Sequence, residues 1–328
     1  MRDIRTIFLA LSLAIISVSC DAFRIVSNNE VSSQGSPYEL IVVSNQPQWE
    51  GALGDTLRTI FRADVPYLQQ SEPIFDVLRV TELGYDNLVL RHRNILRTIV
   101  NPNATKTSAS VQYNLHATPQ IVITVQGGSD STVTNYIGQN RDKLVEVLEA
   151  AERDRAVAYG KKFGVKSLEA LISDKFGFEM SIPEGYSLRN ELDDFVWISY
   201  EYPTASQGFF IYKYPAVGGT RALSVEQLTA ARNRYAAKIP GPVDGSYMTT
   251  VEEYTPDTKS YSIDGRVWVE LRGLWNVAND FMGGPFVSYS TLVGDDVVTI
   301  DMYVYSPKLG KRNFIKGLEH LIYNVKIP

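Results

Sequence analysis

The chain has 328 residues, 44% of them apolar, with 32 lysines and arginines against 37 aspartates and glutamates and a formal net charge of −5. That length supports one large core or two smaller ones, and an acidic chain without a Lys/Arg block excludes binding driven by nucleic-acid phosphates. One cysteine excludes an intrachain disulfide, so packing must hold the fold.

The chain opens with Ile7–Val18, twelve residues without charge. A membrane span needs about 20 apolar residues, and a core helix would show a polar period. With Arg2 and Arg5 before the run and Ser17–Ser19 after it, the layout is that of a signal peptide, predicted over residues 1–19. The stretch "ISVSC" resembles a bacterial lipobox, in which the cysteine is acylated and becomes the first residue after cleavage. Ser17 stands where that motif usually has Leu. The alternative is an ordinary signal peptide with an incidental cysteine. Cys20 is the predicted lipidation site, since acylation removes a lone reactive thiol. The protein would then sit on a membrane without crossing it. Residues 20–37, including "SNNEVSSQGSP", read as anchor and flexible tether.

A first unit is predicted over 38–176. "YELIVVS" reads as a strand and "QWEGALGDTLRTIFR" as a helix, with Trp49, Leu53, Leu57, Ile60 and Phe61 at helical spacing. "IFDVLRV", "NILRTIV" and "PQIVITVQ" read as strands, and "NPNATKTSAS" as a loop. A long helix starts at the cap pair Ser129–Asp130, with a bend expected near Gly138 or "ERDR" and a stop near Gly164. "VKSLEALISDKF" is a shorter helix.

A second unit is predicted over 177–328. "FEMSIP", "FVWISYEYP" and "GFFIYKYP" read as strands. "SVEQLTAARNRYAAKI" is a helix capped by Ser224. Asp264-Gly265 suits a type I′ hairpin turn, and a second hairpin turns at Gly294-Asp295. "KRNFIKGLEHLIYNV" closes the chain as a helix. The fold class is α+β: two mostly antiparallel sheets, each with helices on one face. The shared order of elements suggests an internal duplication, although residue identity between the halves is weak.

Chemistry is sparse. His92, His116 and His320 lie far apart, no zinc-binding spacing is present, and no nucleophile elbow, Walker loop or dinucleotide fingerprint occurs. No metal site, cofactor or catalytic set is predicted. Asp193-Asp194 and Asp295-Asp296 read as turn residues. "RHRN" around His92 reads as an edge-strand charge cluster that discourages aggregation, or as an anion-contacting rung. The unusual stretch is "RGLWNVANDFMGGPF", read as a loop between strands. Its candidate binding residues are Trp268, Arg272, Trp275, Asp280, Phe281, Gly283, Gly284 and Phe286; the alternative is that its aromatics tuck onto the core. Alternation places Trp268, Glu270 and Arg272 on one strand face and Thr299, Asp301, Tyr303 and Tyr305 on another. Together these would make a Trp/Tyr surface for a protein or sugar if no helix covers it.

The Cys20 leader, "RNILRTIV", "PQIVITVQ" before the long helix, and above all "GLWNVANDFMGGPF" resemble an envelope lipoprotein family of the Bacteroidetes known as a domain of unknown function. The resemblance implies a Gram-negative, lipid-anchored location, with the outer membrane expected, and brings no catalytic residues. The leading expectation is a membrane-tethered, non-enzymatic module that binds or scaffolds an envelope protein or glycan. The alternative is an envelope hydrolase acting on glycan or peptide, which requires a cleft with two carboxylates about 5–9.5 Å apart.

Overall fold

The computed structural model describes residues 31–328. The expected signal peptide, Cys20 and the first part of the expected tether lie outside the described residues.

The first half contains β1 (Glu39–Val43), α1 (Gln46–Glu50), α2 (Ala52–Phe61), β2 (Asp76–Val80), α3 (Asn87–Leu90), β3 (Asn94–Val100), β4 (Ser108–Tyr113), β5 (Ile121–Gly127), α4 (Asp130–Gln139) and α5 (Arg141–Lys162). Its sheet order is β2-β1-β3-β5-β4. The pairs β1–β2, β1–β3 and β3–β5 are parallel and only β4–β5 is antiparallel. This sheet is therefore mostly parallel and not antiparallel as expected, while the α+β class with two sheets holds. The apolar runs of β1, β3 and β5 are buried on both faces, as parallel strands require. Leu40, Val42, Leu96 and Ile123 pack under α2, α4 and α5. Ile41, Val43, Ile95 and Val122 meet Val80, Tyr85 and Val89 on the other side. Ser129 caps α4 as expected, its hydroxyl accepting from the Thr132 amide, and Asn140 separates α4 from α5. The strand β4 is exposed at every residue. It lacks a buried face and so lacks alternation, which is why part of it reads as loop in sequence.

The second half contains α6 (Lys166–Phe176), β6 (Ser187–Leu192), β7 (Phe195–Glu201), β8 (Ser206–Pro215), α7 (Val225–Ala236), β9 (Tyr247–Thr250), β10 (Asp257–Ile263), β11 (Arg266–Ala278), β12 (Gly283–Val293), β13 (Asp296–Tyr305) and α8 (Arg312–Glu319), followed by a 3-10 turn over His320–Asn324. The sheet runs β10-β11-β12-β13-β8-β7-β6, with β9 paired to β11, and its pairs are antiparallel. The two sheets differ in strand order and direction, which removes the duplication. Helix α6, read from sequence with the first unit, packs Leu168, Ile172 and Phe176 into this sheet's core. "FEMSIP" forms no ladder; Phe178, Met180 and Ile182 alternate because they plug that core.

Helices cover both faces of the second sheet rather than one. On one face α6, α8 and the closing turn pack on Val196, Phe209, Val287 and Ile300. On the other α7 packs on Phe195, Phe210, Tyr212 and Leu271. The register also dissolves the expected Trp/Tyr surface. Glu270 pairs with Tyr289 and Tyr289 with Ile300, whereas Leu271 pairs with Ser288 and Ser288 with Asp301. Cross-strand partners share a face, so Trp268 and Tyr303 lie on opposite sides. The turn at Asp264-Gly265 has positive φ at both residues (49° and 75°), as a type I′ turn needs.

The halves are joined by specific contacts. The Glu72 carboxylate accepts the backbone amides of Lys311 and Arg312, and the Arg312 guanidinium reaches Asp76 at 2.7 Å. The end of the tract read as tether is docked: the Ser33 and Gln34 amides donate to the carbonyls of Thr118 and Arg91.

Candidate functional site

A cleft of about 940 Å³ opens along the seam between the halves. Its floor comes from α5 and from Tyr38 and Arg93, the residues just ahead of β1 and β3. One turn of α5 presents Glu152 and Arg155 toward the start of β3. Glu152 Oε1 accepts from Asn94 Nδ2 (2.6 Å), Arg155 (3.0 Å) and the Tyr38 amide (3.3 Å), and Oε2 accepts from Arg93 (2.7 Å). Burial draws the Arg155 pKa down to about 10, against the pull of Glu152. His92, expected on an exposed edge, is instead buried, with Nδ1 3.2 Å from the Asn94 carbonyl and Nε2 3.2 Å from Glu39. A Cβ on Gly35 (φ +93°) would strike that ring at 2.3 Å.

The second half supplies the opposite wall. The Tyr38 hydroxyl bridges the seam to His320 Nε2 at 3.1 Å. Burial lowers the His320 pKa to about 4, so the ring is neutral at ordinary pH. His320 Nδ1 and Asn324 Oδ1 are buried without a protein partner, and both residues line the cleft. Tyr200 and Tyr202 stack with centroids 4.3 Å apart and planes at 21°, and Phe314 continues the wall 5.4 Å from Tyr202. Gly185 (φ +94°) leaves room for the Tyr200 ring, which a Cβ would meet at 2.5 Å.

Behind this wall charges of alternating sign run from β11 to α5. Arg272 bonds Glu270 (3.1 Å) and Glu319 (2.7 Å), while Lys316 bonds Glu319 (3.5 Å) and Glu149 (2.8 Å). Burial alone would raise Glu319, but Arg272 and Lys316 outweigh it and hold its pKa near 2.

The stretch expected as a loop over 272–286 is a hairpin of β11 and β12, with a tip of only residues 279–282. Arg272 lies inside the charged network. Trp268, Trp275 and Phe286 are buried. Gly283 pairs with Asn276, and a Cβ on Gly284 would meet the Val304 carbonyl oxygen at 2.0 Å. Asp280 caps the Phe281 amide at the tip, and Phe281 alone of the candidate aromatics is fully exposed. The hairpin does line a second, smaller cleft of about 570 Å³ through Trp275, Val277 and Met282. The indole donors there are spent internally: Trp197 donates to the Tyr303 hydroxyl (2.8 Å) and Trp275 to the Val304 carbonyl (3.2 Å).

Sequence reasoning missed Tyr38, Glu152, Arg155 and Asn324 altogether, and found no role for His320. The i, i+4 spacing of His320 and Asn324 was visible, but nothing local signals that a second sheet faces them. Among the described residues no group of His, Cys, Asp and Glu could hold a metal ion, and no helix is long and apolar enough to cross a membrane.

The fold is that of a two-sheet α+β protein with a cleft along the seam of its halves. Residues 165–324 match the family described as Domain of unknown function (DUF4837), and residues 33–159 match Domain of unknown function (DUF8532). No curated protein matches the chain in sequence. Cyanobacterial PsbP (CyanoP) from Synechocystis sp. PCC 6803 is 13% identical with a TM-score of 0.32, over 46% of this chain and 87% of that one. LpqN, involved in cell envelope biogenesis of Mycobacterium tuberculosis, is 9% identical with a TM-score of 0.28, over 46% and 83%. The human StarD13 (DLC2) lipid transfer and protein localization domain is 10% identical with a TM-score of 0.22, over 48% and 90%. Likenesses this loose carry no argument about activity or ligand.

Proposed function

We propose that the chain is a lipid-anchored, non-enzymatic binding module of a Gram-negative cell envelope, and that its ligand seats in the seam cleft. One observation carries the binding part: a cleft of about 940 Å³ opens between the two halves, lined by Tyr200, Tyr202 and Phe314 together with the polar side chains of Arg93, Glu152 and Arg155. Aromatic walls with a few placed polar groups are the usual form of a small-ligand site. The anchor rests on the leader and Cys20. Eleven residues from Cys20 to Val31 reach at most about 40 Å when extended. Ser33 and Pro37 line the cleft, so the ligand site would work close to the lipid surface.

Binding is favoured over hydrolysis by the state of the carboxylates. A glycosidase needs two facing carboxyl groups, one able to carry a proton. In the cleft Glu152 is saturated by Asn94, Arg93 and Arg155, and Glu184 accepts the Tyr159 hydroxyl at 2.7 Å. Glu184 is the one other carboxylate in the lining, so the cleft lacks the facing pair that glycoside hydrolysis requires.

Mass spectrometry of the chain from its native membranes is expected to find Cys20 acylated at the N-terminus. A photo-crosslinking residue at position 202 is expected to capture an envelope component, while one at the exposed position 217 captures none. An unmodified Cys20 removes the anchor. Identical capture at 202 and 217 removes the cleft.

A further inference from the structure

We propose that β4 is a docking edge independent of the seam cleft, and that its occupant is the β4 of a second copy of this chain, paired antiparallel about a two-fold axis. Nothing lies beyond β4 in the order of the first sheet, and all six of its residues are exposed. An open strand edge is a template for another chain, and edges that must stay single carry charges, a bulge or a cover. The other edges of this molecule are guarded in that way. β2 carries Asp76 and Arg79, β10 carries Asp257 and Lys259, and β6 carries Arg189 and Glu191 with a bulge between Leu188 and Asn190. β9 is covered: its Met248 and Thr250 amides donate to the Ile239 carbonyl and to the Asn233 side chain. β4, "SASVQY", has no charge, no proline and an unbroken register with β5.

The phase of the hydrogen bonds fixes how a second strand sits. The Asn114 amide donates to the Gln120 carbonyl, and the same register runs through β4. Bonded pairs alternate along an antiparallel ladder, so Ser108, Ser110 and Gln112 spend their backbone groups on β5. Ala109 and Val111 turn theirs to the open side, where they find no partner among the described residues. A two-fold centred on Ser110 sets each Ala109 against Val111 of the other copy and pairs all of these groups. The charges select the same occupant. Residues 107–120 hold no Asp, Glu, Lys or Arg, so self-pairing opposes no like charges, and Lys106 falls opposite Asn114. A charged partner strand finds no counter-charge there. On one face Ala109 and Val111 of the two copies cover each other and extend the row of Ile123 and Val125; on the other the Ser110 hydroxyls meet. The joined sheet has β2 at both ends, whose charges stop further addition, so the assembly closes as a dimer.

The test measures the mass of the detergent-solubilised full chain by multi-angle light scattering from low to high micromolar concentration. A concentration-dependent dimer is expected. Val111→Lys, and Ser110→Asp, which sets two carboxylates face to face, are each expected to weaken it roughly tenfold or more. Both positions are exposed, so the circular dichroism should not change. Leu83→Lys, at an exposed position elsewhere on the first half, is expected to leave the dimer intact. A disulfide guards against a variant that fails to fold. Ser110→Cys places two thiols at a non-bonded pair whose Cα atoms stand about 4.5 Å apart, within disulfide reach. Oxidation is expected to link two copies of it well beyond the level of Leu83→Cys or of the parent chain, whose one cysteine is Cys20. A monomer throughout, a dimer that survives both Val111→Lys and Ser110→Asp, or linking at position 110 no greater than at position 83 overturns the proposal.

Discussion

Arg232 and Asp301 show how a single residue pair is held in a sheet core. Both side chains are fully buried; Arg232 Nε lies 2.9 Å from Asp301 Oδ2, and the guanidinium also donates to Thr250 and stacks 3.6 Å over Phe286. Removing one partner of a buried pair costs about 3–5 kcal/mol, whereas replacing both with apolar groups is often neutral. Arg232→Met is therefore expected to lose about that much in urea unfolding, and Arg232→Met with Asp301→Leu to recover most of it. Burial pushes the Asp301 pKa up to about 7 from 3.8, even against Arg232. At Gly284 the limit is space: a methyl would press on the Val304 carbonyl, which is backbone. Gly284→Ala is expected to cost about 1–3 kcal/mol, read as a lower urea midpoint.

At the scale of elements, the hairpin of β11 and β12 decides what the most distinctive sequence stretch does. "NDFMGGPF" carries every signal of a loop, yet only residues 279–282 form the tip. The glycines are there because the Val304 backbone and Trp275 pass close by. Pro285 is tolerated because β13 begins to pair with β12 only at Phe286. Trp275→Ala is expected to cost about 3–5 kcal/mol through the cavity it leaves, and Phe281→Ser less than about 0.5 kcal/mol. Equal effects in chemical denaturation would mean that the tip packs against something. Capped helices and type I′ turns were readable because their signals are local, as at Ser129, Ser224 and Asp264-Gly265. The strand β4 was not, because an edge exposed on both faces leaves no hydrophobic period.

At the scale of the whole molecule, the seam makes stability depend on pH. His320 has a folded pKa near 4 against an ordinary 6.5. Between those values the unfolded chain binds a proton that the folded chain refuses, so stability falls as pH drops from about 6.5 to 4. The shift amounts to roughly 3 kcal/mol. Glu319 acts in the next window: held near 2 against 4.5, it supports the fold above about pH 4.5 and loses that support as pH falls toward 2. His320→Gln is expected to flatten the stability–pH curve between 6.5 and 4 while leaving the fall below 4.5. An unchanged slope in urea titrations across that range would show that His320 titrates normally.

What the sequence determined by itself is whatever the chain encodes over short distances. It specified the α+β class, the caps and tight turns, and the buried runs of β1, β3 and β5. What only the tertiary structure decided is everything that depends on which distant segments meet. Strand direction in the first sheet, the opposite faces of Trp268 and Tyr303, and the helix cover on both faces of the second sheet follow from register and packing. The seam cleft is of the same kind: Tyr38 and His320 are 282 positions apart. Their encounter follows from the docking of two separately packed cores, and no local pattern of residues encodes the relative placement of two cores.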